Sequence, residues 1–194
     1  MVLRLITILL IVLAAPLSAQ NTDEAIHNEI RAMKDRTIAA LDARDVDALM
    51  NELSDNVYFT AMNNEAVHGK PAAREYYDRM MAGADSVVTD MAVTFDPDVL
   101  SALYVDGNSA VSTGFSKASF KMRGGLEFDV PLRWTAALAR IDGEWKITGM
   151  HFSSDIFNNP ISGEIMKYLW LFLTIAAVIG LLIGFLLGRK RRRT

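Results

Sequence analysis

The 194-residue chain has no cysteine, which excludes a disulfide framework and a thiolate metal site. Histidine is scarce as well. His27, His68 and His151 are too scattered for a zinc pattern, and no metal or cofactor is expected. No phosphate-binding glycine loop, carboxylate pair or Ser-His-Asp order stands out. Positive charge is short in the middle: residues 20–166 hold 13 Lys and Arg against all 23 Asp and Glu, a balance of −10. A domain this acidic is excluded as a nucleic-acid binder. Long apolar runs are absent from the interior and confined to the two ends, where they raise the hydrophobic share to 51%.

At the first end, a basic start at Arg4, an apolar run Leu5–Ala15 and a small residue at Ala19 read as a signal peptide over 1–19. As a helix the run spans only ~17 Å of a ~30 Å hydrocarbon core, and an uncleaved anchor is the alternative. At the other end, Tyr168–Gly188 carries no charge and is long enough to cross a bilayer. Tyr168 and Trp170 suit one interface, and the basic run Arg189–Arg193 at the other suits the cytoplasmic side. The expected order is a domain over 20–154 outside the cytoplasm, a linker at 155–166, a span at 167–188 and a cytoplasmic tail at 189–194. Gly180, Gly184 and Gly188 recur every four residues and offer a face for self-association of the span.

Between the ends, Asn21 and Glu24 form a capping box for an amphipathic helix to about Asp42, and Asp45 caps a short second helix. A strand at Val57–Met62, a loop at 63–69 and a third helix from Pro71 to Gly83 follow. From Val87 onward the pattern is strands only, punctuated by Asp106-Gly107, Gly124-Gly125 and Asp142-Gly143. Two-residue turns at the last two pairs set Trp134 opposite both His151 and Phe115, and Leu138 opposite both Ile147 and Val111. One face then carries Val111, Thr113, Phe115, Trp134, Leu138, Ile147 and His151. The far face carries small residues, Ala110, Ser112, Gly114, Ala137 and Ala139, against which a second sheet packs in a homodimer. Arg140 stacks on Trp145. Helices segregated from a twisted antiparallel sheet make an α+β class.

This order of elements resembles the nuclear transport factor 2-like superfamily, in particular its SnoaL-like branch. The resemblance is carried by Leu41-Asp-Ala-Arg-Asp-Val-Asp-Ala-Leu49, His68-Gly-Lys-Pro-Ala-Ala-Arg-Glu-Tyr76 and Asp142-Gly-Glu-Trp-Lys-Ile-Thr-Gly-Met-His-Phe-Ser153. It implies a cone-shaped fold with three helices on a curved sheet and a pocket at the open end. The superfold hosts enzymes, binders and scaffolds alike. For the superfamily's ketosteroid isomerases it implies a tyrosine at Thr37, an aspartate base at Ala61 and an acid on a late strand, and Trp134–Ile141 contains none. Proton abstraction needs a positioned base, so that chemistry is expected to be absent.

The expected pocket is lined by Thr37, Tyr58, Tyr76, Val111, Phe115, Trp134, His151 and Ser153. His151 is the weak catalytic candidate, against a half-buried histidine bonded to backbone. His68 reads as a turn residue and His27 as solvated. The function expected is a membrane-anchored, extracytoplasmic module that binds a small hydrophobic ligand or a protein and is dimeric and non-catalytic. The alternative is a SnoaL-like enzyme acting on a small hydrophobic molecule.

Overall fold

The first helix, α1 (23–42), is held against a sheet by a stripe of Ile26, Ile30 and Met33, all buried. This computed structural model describes residues 23–155 and 160–191, so the leader at 1–19, the Asn21 cap and the last residues of the tail fall outside it. Asp45 caps α2 (Val46–Asn51), its carboxylate accepting from the Ala48 amide at 2.9 Å. Then come β1 (Leu53–Thr60), β2 (Ala66–His68) and α3 (Lys70–Tyr77), which runs into a π-helical turn at Asp78–Ala82. The strands β3 (Val88–Val93), β4 (Asp96–Pro97), β5 (Ala102–Tyr104), β6 (Ser109–Met122), β7 (Glu127–Ile141) and β8 (Glu144–Ser154) complete the domain. The sheet order is β2-β1-β8-β7-β6-β3, with β4 and β5 also on β6. Its pairs are antiparallel except β1 with β8, which run parallel, so the sheet is mixed.

The α+β class is as the sequence indicates, but two registers are not, and both change which side chains face α1. At Asp142-Gly143 both residues have positive φ, 51° and 83°, as a type I′ turn requires, and Ile141 sits opposite Glu144. The pairing holds through Leu138 and Ile147. A β-bulge between Ala137 and Leu138 then moves every later partner by one, so Trp134 faces Phe152 and His151 faces Thr135. The second error lies at Gly124-Gly125. Three residues, Arg123 to Gly125, close this hairpin, and only Gly125 has positive φ, at 83°. The Met122 amide donates to the Leu126 carbonyl at 2.8 Å, while Arg123 is drawn aside to donate to the Ser86 carbonyl at 2.8 Å. A slip of one residue flips a strand's side chains to the other face. Ala110, Ser112, Gly114 and Ser116 therefore face inward and are buried; Val111 and Phe115 face outward.

The consequence is a close approach. Gly114 lies opposite Trp134, whose indole covers it, and the ring N–H donates to the Phe115 carbonyl at 3.0 Å. Glu29 ties α1 to the β7–β8 hairpin, accepting from the Trp145 indole at 2.9 Å and from Arg140, which stacks over the Trp145 ring at 5.1 Å. Arg36 makes a two-pronged pair with the buried Glu52 at 2.7 and 2.8 Å.

A second unit begins at Asp155 and contains the helix α4 (Pro160–Arg191). Its segment Ile165–Phe185, 21 residues with mean hydropathy 2.3, is long and apolar enough to cross a membrane.

Candidate functional site

Between α1, the segment Phe95–Ser101 and the inner sheet face lies a cavity of about 120 Å³. Its floor is Trp134, Ala136, Leu138 and Ile147, the alternate residues that β7 and β8 turn inward. Ile30 and Met33 form its α1 wall, and Met150 closes one side. Of the small inward residues of β6, Ser112 borders this space, while the space over Gly114 is taken by the Trp134 indole. The hydroxyls in the wall are already engaged. Thr37 Oγ1 donates back to the Met33 carbonyl at 2.9 Å, and the Ser101 and Ser112 hydroxyls bond each other at 2.6 Å. An apolar cavity of comparable size, ~150 Å³, accepts benzene.

Beyond Trp134 the inner face is filled by aromatic rings. Phe95 meets Trp134 at 5.9 Å and Phe152 at 6.0 Å; Phe59 meets Phe152 at 6.2 Å and Tyr76 at 5.3 Å. Burial pushes the Tyr76 phenol above its ordinary pKa, so it stays neutral, and Arg79 lies over its ring at 5.4 Å. Tyr76 is thus packed in this run of rings and does not line the cavity.

Of the residues expected to line one pocket, Thr37 and Trp134 lie at the cavity. Val111, Phe115, His151 and Ser153 lie on the outer sheet face, carried there by the three-residue turn and the bulge. Tyr58 is also outside, 63% exposed and stacked on His68 at 4.2 Å. His151 is exposed, on the face away from Trp134, and so does not line the cavity. The small residues expected on the outer face are divided: Ala110, Ser112 and Gly114 face α1, leaving Ala137 and Ala139 outside.

His27, read from the sequence as solvated, lies at the cavity. It sits on α1, half-buried, one turn before Arg31, and both lie at the cavity with Lys34. Spacing of four and three along a helix puts all three on one face, and that was the available signal. Across from them Val99 and Leu100 are 69% and 61% exposed, forming an apolar lip. Next to this segment, Arg133 grips Asp98 in a two-pronged pair and holds its carboxyl below the usual range. Among the described residues that line the cavity there is no Asp, Glu or Tyr. Ala61, where the resemblance implies a base, is buried. No group of His, Asp or Glu among the described residues is arranged to hold a metal ion.

The comparisons with known proteins agree with this architecture. No curated protein matches the chain. Among solved structures, a nuclear transport factor 2-like superfamily protein from Salmonella enterica is 21% identical, with a TM-score of 0.56 over 68% of this chain and 92% of that one. A ketosteroid isomerase-like protein from Erwinia carotovora is 16% identical, with a TM-score of 0.54 over 66% and 94%. A type 2 hexachlorocyclohexane dehydrochlorinase is 15% identical, with a TM-score of 0.60 over 72% and 92%. At such identities the likeness is one of fold. The family profile of the SnoaL-like domain matches residues 30–156, from the cavity wall of α1 to the end of β8, and the chain belongs to that family.

Proposed function

We propose that this chain is a membrane-anchored binding module that holds a small hydrophobic molecule in the cavity under α1 without transforming it. The observation that carries the reading is the cavity's chemistry: apolar walls, wall hydroxyls bonded to their own neighbours, and no carboxylate or phenol among the described lining residues. Abstraction of a proton from carbon needs a base within reach of the substrate, and among the described lining residues no carboxylate or phenol offers one, which leaves His27 alone for that role. Apolar burial alone is worth roughly 25 cal/mol per Å², enough for retention of a small molecule. The anchor is α4, with the basic run after it in the cytoplasm and the domain on the other side, periplasmic or extracellular; the positive-inside rule supports this orientation. The reading includes a homodimer through the outer sheet face. Exposed Tyr58, Val111 and Phe115 support it in place of the small residues that turn inward, and Gly180, Gly184 and Gly188 support contact between spans.

A second reading, catalysis on a hydrophobic substrate, is favoured by His27. It is the one imidazole among the described lining residues, and an imidazole can serve as a general base. Octanol titrated into the full chain in neutral detergent separates the two. The binding reading predicts saturation at one molecule per chain, loss of binding in Ala136→Leu, which fills the floor, and retention in His27→Gln. A wild-type chain that does not saturate contradicts it. Turnover of a hydrophobic substrate lost in His27→Gln favours the enzyme.

A further inference from the structure

The mouth of the cavity is chemically two-sided. His27, Arg31 and Lys34 lie along one flank of α1, and Pro97, Val99 and Leu100 lie opposite. The three titratable side chains at the mouth are all of the basic kind, in a domain whose balance is −10. Their present partners are weak ones. Arg31 pairs with Glu24 at 3.0 Å and Asn28 at 2.6 Å, both exposed, and Lys34 pairs with its sequence neighbour Asp35 at 3.3 Å. Exposed pairs of this kind contribute little and exchange readily for another anion. None of the acids lies among the described lining residues, so nothing negative there opposes an anion at the mouth.

We infer that the cavity takes an amphipathic anion, its apolar chain inside against Met33 and Trp134 and its oxyanion head, such as a carboxylate, at His27, Arg31 and Lys34. This rests on the binding reading above and adds the charge and orientation of the ligand. Arg31 offers a planar fork that fits two carboxylate oxygens, and Lys34, one helical turn on, adds a point charge. The exposed lip of Val99 and Leu100 lets a chain slide in from a bilayer or from solution without crossing polar groups.

The test uses the full chain in nanodiscs of zwitterionic lipid, with ¹³C-methyl methionine so that Met33 and Met150 report occupancy. Octanoate and octanol are titrated into the wild type and into Arg31→Gln/Lys34→Gln. Comparing the ratio of their affinities between the two proteins cancels partition into lipid. The proposal predicts that this ratio falls about tenfold in the double variant while octanol binds as before. Adding salt lowers the wild-type ratio and leaves the variant's unchanged, which checks the charge without any substitution. An equal ratio in both proteins, or a salt-independent one, overturns the proposal while leaving the binding reading intact. Failure of octanol to move Met33 in the wild type overturns the binding reading, and the proposal with it. Mass spectrometry of the chain extracted in neutral detergent distinguishes the source. A co-purifying lipid-derived anion indicates the bilayer, and loading only after octanoate is added indicates a free pool. A co-purifying cation contradicts the proposal.

Discussion

Gly114 is where a single atom matters most. A Cβ added there meets the Trp134 indole and the Asp96 carbonyl, and the backbone of β4 has no flexible end to yield. Gly114→Ala therefore costs about 1–3 kcal/mol through overpacking, measured as a lower denaturant midpoint. The same substitution unseats Trp134 from the Phe115 carbonyl and disturbs the cavity floor. Had Gly114 faced outward, as two-residue turns imply, alanine would be accepted readily. Residue chemistry of this kind was partly legible in the sequence. Thr37, on the helical spacing of α1, and Trp134, on the inward alternation of β7, do lie at the cavity. His27 reads as solvated because its neighbours Ile26 and Ile30 define the stripe, while the opposing wall, Phe95 to Ser101, has no periodicity to read.

At the scale of elements, the helices and strands follow from caps, turns and alternation, and Asp45 and Asp142-Gly143 behave as their chemistry requires. Register is harder to read because it depends on a count. A diglycine admits a two-residue turn or the end of a three-residue one, and Arg123 decides it through bonds to the 84–87 loop, distant in sequence. The bulge opposite Ala137 and Leu138 leaves Thr148 as the extra residue, and its signal in the sequence is the neighbouring strand glycine, Gly149. Two substitutions check the turn. Gly125, at φ 83° with open space around it, loses about 1 kcal/mol to backbone strain when replaced by alanine. Gly124 is outside the left-handed region with equally open space, so Gly124→Ala is neutral or mildly stabilising. Comparable losses at both, read from thermal midpoints at equal ionic strength, would indicate a two-residue type I′ turn and restore the register in which Phe115 faces Trp134.

At the scale of the whole molecule, an acidic SnoaL-like domain is followed in the chain by a helix long and apolar enough to cross a membrane, and the proposed ligand site lies within the domain. The binding proposal requires that apolar molecules enter under α1 and do not settle on the outer sheet face, where Tyr58 and Phe115 are exposed. Photolabelling of the full chain in nanodiscs with a small apolar diazirine, followed by peptide mapping with and without excess octanol, tests this directly. Adducts on Ile30, Met33 and Trp134 that octanol suppresses, beside unsuppressed labelling of α4 by the lipid phase, are the predicted result. Adducts confined to α4 and the outer face, with the cavity peptides unlabelled, would contradict it.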